Sequence, residues 1–386
     1  MKKIALVNQR YGLEVNGGSE YYTRLLAEKL AAFYDVEVLT TKAGSYDTWE
    51  NSYDYDEEII NDVKVLRFSV KRKRNVLQQK ISGRLMSSFG FHGKLVNRAW
   101  VNAQGPFVPE LLKYIEENSE KYDVFVFVTY LYYTTVWGMP KVHKKSVFIP
   151  TAHDEFCVYF RCYQRLFHIP KAIIYLTDEE QAFVHRTFHN EKVPDVVAGV
   201  GMDMPGDMDE QRFRERYRIY RPFLLYTGRV DVNKGCAEML RYFARYRKEN
   251  EELDLVIMGQ AFMEIPDMEG IHYLGYVPEQ DKFDGLYAAK ALWLPSEFES
   301  LSISVLEAMS VGTPVVVNGR CEVLKGHCVK SNGGVYYTEY AEFLEGLQHM
   351  CGEGYDRFCR NAGTYIQKYY TWEKILDKIT AMIELP

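Results

Sequence analysis

Two loop segments of this chain carry charged side chains in patterns that suit an anionic, hydroxyl-bearing ligand. In Pro295-Ser296-Glu297-Phe298-Glu299-Ser300-Leu301-Ser302-Ile303-Ser304-Val305-Leu306-Glu307-Ala308-Met309 a loop opens a helix. Free backbone N–H groups and the positive dipole end at a helix start favour an anion such as a phosphate. Glu299 falls in the loop and Glu307 a turn inside, on the face of Ile303 and Ser304, so both can address one pocket. A carboxylate accepts two hydrogen bonds, which suits the vicinal hydroxyls of a ribose. The E-x7-E spacing is common by chance; the strand–loop–helix frame and the following Gly312-Thr313-Pro314-Val315-Val316 make it specific. The second segment is Tyr226-Thr227-Gly228-Arg229-Val230-Asp231-Val232-Asn233-Lys234-Gly235. There Arg229 and Lys234 can converge on a diphosphate, one as a planar fork and one as a point charge.

Two weaker signals lie earlier. Asn16-Gly17-Gly18-Ser19-Glu20 would let backbone approach a ligand closely, although a bare tight turn reads the same way. His153, in Pro150-Thr151-Ala152-His153-Asp154, reads on its own as a structural histidine after a strand. With Cys157, Cys162 and His168 it could be written as a metal set, but the tight ligand pairs of structural zinc sites are missing. Buried thiols are the expectation. The D-x-D triplets Asp54-Tyr55-Asp56 and Asp207-Met208-Asp209 close no strand and read as surface or linker charges.

These residues need a frame that presents loops at strand ends. Lys3–Asn8 is an apolar strand, Tyr21–Phe33 has helical spacing, and Val36–Thr41 is a second strand. Strand-like runs recur at Val63–Val70, Val124–Thr129, Ser146–Pro150 and Ala172–Leu176. The pattern restarts after Val200, with Phe223–Thr227, Leu253–Met258, Ile271–Leu274, Ala291–Leu294 and Pro314–Val317. Strands alternating with helices predict an α/β protein of two Rossmann-like, doubly wound domains. Such sheets bind ligands at the carboxyl ends of their strands, so a cleft between the two domains is expected. The expected division is 1–200, 201–369 and a tail helix, 370–386, with the Gly199–Gly206 segment as linker. The tail carries Trp372, Ile375, Leu376, Ile379 and Ile383 on one side, and is expected to cross back to the first domain.

Composition sets the outer limits. The chain has 386 residues, 47% hydrophobic and 26% charged, which is ordinary for a globular protein and excludes disorder as its main state. A net charge of −6 is the wrong sign for a dedicated nucleic-acid binder. Seven cysteines without a C-x-x-C pair argue against a disulfide framework and for a reducing cytoplasm. The apolar run at the start is too short for a signal core, and no window reaches the length of a membrane span. Charge is uneven, however: residues 1–200 carry net +2 and residues 201–386 net −8. Residues 63–109 hold ten basic side chains and no acidic one, interleaved with Val76, Leu77, Ile81, Leu85, Met86, Phe89 and Phe91. That pattern suits an anionic membrane surface or anionic acceptor; the alternative is a solvated face with the apolar stripe packed inward. Thirty tyrosines are the remaining oddity, and rings such as Tyr130, Tyr132 and Tyr133 are expected to line a half-wet acceptor cleft.

Taken together, the double glycine, G-R-x(4)-K-G, E-x7-E with E-A-M, G-T-P-V-V and the terminal aromatic-Trp-Glu helix resemble the retaining glycosyltransferases of family four, on the GT-B fold. The resemblance implies a nucleoside diphosphate sugar as donor. Arg229 and Lys234 would then hold its diphosphate, Gly17 and Gly18 would approach it, Glu307 would bind the ribose, and Glu299 the sugar near its reacting carbon. Amides of Leu301, Ser302 and Ile303 would cradle the distal phosphate, Tyr276 and Val277 would seat the nucleobase, and His153 would face the sugar. The catalytic set so implied is Glu299, His153, Arg229 and Lys234, with no metal and no cofactor beyond the donor. One departure stands out: Ser302 occupies a place where the family usually has glycine, which either narrows the sugar pocket or adds a hydroxyl donor.

The expected reaction is transfer to a glycan or lipid-linked acceptor, with attack on the face the diphosphate leaves. The expected setting is cell-surface polysaccharide synthesis, in the cytoplasm or at the inner membrane face. A catalytically silent sugar-nucleotide binding subunit, an epimerase or a glycan phosphorylase of the same twin-domain build are the competing readings. A dinucleotide oxidoreductase is disfavoured, because no G-x-G-x-x-G follows the first strand.

Overall fold

The computed structural model describes residues 1–15, 17–90, 93–203 and 206–386. Asn16 of the double-glycine segment, Phe91 of the basic segment, and Met204 and Pro205 of the linker therefore lie outside the described residues. The chain divides into two compact units, Met1–Val200 with Ile375–Pro386, and Gly201–Lys374.

The first unit is built on an eight-stranded sheet. Its strands are β1 (Lys3–Val7), β2 (Asp35–Thr41), β3 (Glu57–Ile60), β4 (Val63–Phe68), β5 (Val124–Val128), β6 (Ser146–Ile149), β7 (Ala172–Tyr175) and β8 (Asp195–Val197). Their spatial order is β3-β4-β2-β1-β5-β6-β7-β8, parallel throughout except for β3 against β4. Runs such as Val124-Phe125-Val126-Phe127-Val128 are buried on both faces, as expected of parallel strands covered by helices on each side. Sequence order reverses between β1 and β5, so the loops after these strands open at a topological switch point. Helices α1 (Gly18–Leu30), α2 (Val76–Phe89), α3 (Lys94–Gln104) and α4 (Asp178–Phe188) are the ones that bear on function.

The second unit has a six-stranded sheet, all parallel. Strands β9 (Phe223–Thr227), β10 (Asp254–Met258), β11 (Ile271–Gly275), β12 (Ala291–Leu294), β13 (Val315–Asn318) and β14 (Gly334–Tyr337) lie in the order β11-β10-β9-β12-β13-β14. Here the switch point falls between β9 and β12. Helices α5 (Glu279–Ala288), α6 (Ile303–Ser310), α7 (Glu322–Ser331) and α8 (Tyr355–Tyr369) pack around this sheet. The chain enters and leaves the unit at one place: Met202 N–H donates to the Tyr370 carbonyl at 2.7 Å, and Gly201 lies against Trp372 so closely that a Cβ would sit 2.3 Å from the ring.

The last helix, α9 (Trp372–Ile383), closes the first unit. Ile375, Ile379 and Ile383 recur every four residues and are buried. Lys171 donates to the carbonyls of Ile383 and Leu385, supplying a cation and donors at the helix C-terminus. Glu384 accepts from Lys2 and Tyr34.

The tyrosines mostly answer a different need from the one expected. Tyr130, Tyr132 and Tyr133 are buried, and the Tyr130 hydroxyl donates to Glu155. Tyr122 donates to Glu37, and Tyr163 accepts from Trp100 Nε1 at 2.7 Å. These are core rings, several of whose polar tips are satisfied within the unit, rather than the lining of an open cleft.

Candidate active site

Strand β9 ends in Thr227, and the loop behind it is tied down at each step. Gly228 has φ +143°, and the Tyr226 hydroxyl donates to the Arg229 carbonyl at 2.7 Å. Asp231 accepts from the Lys234 N–H at 3.0 Å and pairs with Arg229 Nε, so one carboxylate both caps the turn and orients the guanidinium. Gly235 has φ +74°, and a Cβ there would lie 2.3 Å from the Pro295 carbonyl oxygen. Only glycine lets the β9 loop and the β12 loop come this close.

That approach brings the two sequence signals together. Lys234 Nζ donates to Glu299 Oε1 at 2.7 Å across the gap between the loops. Asn318, at the end of β13, donates to the Pro295 carbonyl at 2.9 Å and fixes the β12 loop from its other side. Leu301 is buried, and Ser302 takes φ +67° and ψ +83° immediately before α6. This left-handed backbone is what a glycine adopts freely and a serine adopts at a cost.

Glu307 is buried inside α6, and its carboxylate accepts from Lys282 Nζ of α5 at 2.6 Å. Burial raises its pKa above the ordinary carboxylate value, and the lysine pulls it back down. Upstream of α5, Gly275 has φ +67°, Tyr276 is exposed and Val277 is buried.

In the first unit, α1 starts at Gly18, three residues earlier than the apolar spacing predicts. A Cβ on Gly17 would land 2.2 Å from Glu20 Oε2, whereas one on Gly18 would meet nothing within 4 Å. Gly18 is therefore not demanded by the described packing around it. Glu20 pairs with Arg10 Nη2 at 2.6 Å, both buried, and Arg10 also donates to the Gly44 carbonyl at 3.0 Å. His153 follows β6, with Nε2 3.4 Å from Glu155 Oε1. Its loop is anchored by Glu180 in the first turn of α4, which accepts from the N–H of Ala152 at 2.6 Å and of Leu176 at 2.7 Å. Burial pushes that carboxyl up to about 8 against the pull of the two main-chain donors. No group of three or more His, Cys, Asp or Glu among the described residues is disposed to hold a metal.

Several contributors carry no local sequence signal. Lys282, Asp231, Arg10 and Glu180 act through partners distant in sequence or through a loop's shape. His327 in α7 is another: buried, it meets the Leu301 carbonyl with Nε2 at 2.7 Å and the Tyr365 hydroxyl with Nδ1 at 3.1 Å.

For the basic segment, the reading that packs its apolar stripe inward needs correction, and some of its cations are engaged within the first unit. Arg67 is buried against Glu58, Lys71 pairs with Glu110, Lys73 with Glu50, and Arg74 donates to Tyr46 and Gln104. The Lys71–Arg74 cluster is thus largely spent on the unit itself. Most of the apolar stripe is not packed inward: Leu77, Ile81, Leu85 and Phe89 of α2, with Leu95 of α3, are exposed, whereas Met86 is buried. Lys80, Arg84, Lys94 and Arg98 on the same two helices are exposed too. No helix of the described residues is long and apolar enough to cross a membrane.

Residues 221–350, which hold the β9 and β12 loops, match the family profile of the glycosyl transferases group 1. A glycogen synthase of Thermus thermophilus is 27% identical over 173 residues, covering 42% of this chain and 39% of that protein. The chain thus matches well under half the length of that relative. Among solved structures, a sucrose-phosphate synthase of Thermosynechococcus elongatus superposes with a TM-score of 0.74 at 15% identity, over 99% of this chain and 98% of the other. HepE of Anabaena, in complex with UDP and glucose, gives 0.72 at 13% identity, over 99% of both chains. The full-length likeness shows the GT-B fold, with its two doubly wound units and closing helix, and the stretch that carries the site loops is similar to the glycosyl transferases group 1.

Proposed function

We propose that this chain transfers a sugar, with retention at the anomeric carbon, from a nucleoside diphosphate sugar to a glycan or lipid-linked acceptor. The observation that carries the reading is the Lys234–Glu299 pair, formed where the β9 and β12 loops meet at the switch point of the second sheet. Lys234 and Arg229, with the amides that open α6, take up charge on the departing diphosphate. Glu299, oriented by Lys234, receives hydroxyls of the sugar. Glu307 spends one oxygen on Lys282 and has the other for the ribose. Tyr276 and Val277 seat the base; Gly17, Gly18 and His153 are assigned to the donor from the first unit. The acceptor hydroxyl attacks on the face the diphosphate leaves, and a diphosphate oxygen takes its proton. Side-chain cations supply the electrostatics, so the scheme uses no metal.

Release of nucleoside diphosphate from a panel of nucleotide sugars, with and without oligosaccharide acceptors, tests the reading. No release with any donor, alongside measurable binding, would favour a silent binding subunit. Glu299→Ala should abolish turnover while binding persists, and Arg229→Ala and Lys234→Ala should weaken binding itself.

The exposed ridge of α2 and α3 supports an acceptor presented at an anionic membrane surface. Its apolar side chains can enter the interface while Lys80, Arg84, Lys94 and Arg98 meet anionic headgroups, each cation worth about 1 kcal/mol. Flotation with vesicles containing phosphatidylglycerol should fail when these four become glutamine, and should not occur with neutral vesicles. Co-flotation with both, or with neither, would refute this part.

A further inference from the structure

We infer that His327 is a positioning residue that aims the Ser302 amide at the donor's phosphate, an assignment that rests on the donor reading above. A carbonyl only accepts, so the proton between His327 and Leu301 sits on Nε2 of the ring. Burial lowers the His327 pKa to about 4, so the ring is neutral and Nδ1 is an acceptor. The Tyr365 hydroxyl must then donate to Nδ1, and the Tyr370 hydroxyl, 3.3 Å away, must donate to Tyr365. The direction of every proton in the chain follows from the one carbonyl at its end.

The consequence lies in the next peptide group. The peptide bond is planar and trans, so the Leu301 C=O and the Ser302 N–H point in opposite directions. Drawing the carbonyl inward onto buried His327 turns the Ser302 N–H outward, at the opening of α6. Ser302 then accepts φ +67° and has no side-chain capping bond to relieve it. A non-glycine residue resists this backbone, and a flip of the 301–302 peptide would relieve it while withdrawing the N–H. His327 blocks that flip. Tyr370, the last member of the chain, is also the residue whose carbonyl receives the Met202 N–H. The aim of the donor-binding turn is thus tied to the point where the chain enters and leaves the second unit.

Binding of UDP and GDP by calorimetry tests this, with amide hydrogen exchange over 301–309 beside it. His327→Leu should weaken the tighter diphosphate tenfold or more and raise exchange in the segment about tenfold. His327→Gln, which keeps a donor, should recover affinity to within threefold. Glycine removes the backbone cost, so His327→Leu in a Ser302→Gly background should lose less than threefold. If His327→Leu fails to fold, Tyr365→Phe should weaken binding about threefold. The inference is overturned if His327→Leu, folded, binds as wild type, or loses equally in both backgrounds, or if a folded Tyr365→Phe standing in for it is unchanged. Should wild type bind neither diphosphate, the donor reading fails, and the exchange comparison alone decides whether His327 holds the turn.

Discussion

Replacing Lys282 by methionine isolates the electrostatics around Glu307. The carboxylate is buried, its side chain 7% exposed against 21% for the lysine, and Lys282 Nζ stands 2.6 Å from it. Methionine keeps the unbranched stem and removes the cation, leaving a buried carboxylate without its counter-charge. Breaking a buried pair from one side costs about 3–5 kcal/mol, and partial exposure of this one argues for about 2–3 kcal/mol. The second unit spans Gly201–Lys374, a size at which each kcal/mol moves the midpoint by about 2–4 °C. A fall of about 5–10 °C is therefore expected by calorimetry at pH 7.5. The sign of its pH dependence is fixed by Glu307, whose pKa is already raised by burial. A raised carboxylate destabilises the fold above its folded pKa and ceases to do so once protonated. Removing Lys282 raises it further, so the gap between variant and wild type should shrink as pH falls toward 5. Adding Glu307→Gln should close most of the gap at every pH. A shift under 2 °C, a gap that stays constant with pH, or no recovery in the double variant would each refute the argument.

Three further outcomes follow from the same contacts. His327 is held neutral with its pKa lowered to about 4 from 6.5, so it supports the fold above pH 6.5 and loses that support as pH falls to 4, about 3 kcal/mol in all; His327→Gln should flatten the midpoint's pH dependence in that window. Gly235→Ala, with its Cβ driven onto the Pro295 carbonyl at positive φ, should cost at least about 2 kcal/mol and reduce diphosphate affinity in titration. Glu180→Gln would set an NH2 group against one of two main-chain N–H donors; a loss of about 1–3 kcal/mol by thermal melting and lower turnover through the His153 loop are expected.

What sequence reasoning could read was governed by how local the determining physics is. Val124–Val128 and Phe223–Thr227 are buried on both faces, so their apolar runs announce strands directly. Edge strand β3, Glu-Glu-Ile-Ile, shows no apolar alternation, since its adjacent glutamates fall on opposite faces with Ile59 exposed and Glu58 paired with buried Arg67, and short β8 has only three residues; neither stood out. The start of α1 was legible only to within three residues, since Gly18 and Ser19 carry no apolar spacing. Glu299 and Lys234 could be picked out because each follows a strand in a patterned loop. Their contact could not, because it depends on Gly235 closing two loops 65 positions apart. Arg10 with Glu20, Lys282 with Glu307, and His327 with Leu301 likewise meet only through the tertiary fold. The exposed ridge of α2 was half legible: helical spacing revealed an apolar stripe, and burial alone could tell which way it faced.

The meeting of Met202 with Tyr370 has a consequence for how the molecule is made. The second unit is one uninterrupted stretch whose two ends are bonded to each other, so it behaves as a cassette set into the first. The first unit receives Ile375, Ile379 and Ile383 only after the insert has been synthesised. During translation the core of the first unit therefore stays open along one helix until the second unit and then Ile375–Ile383 have been made.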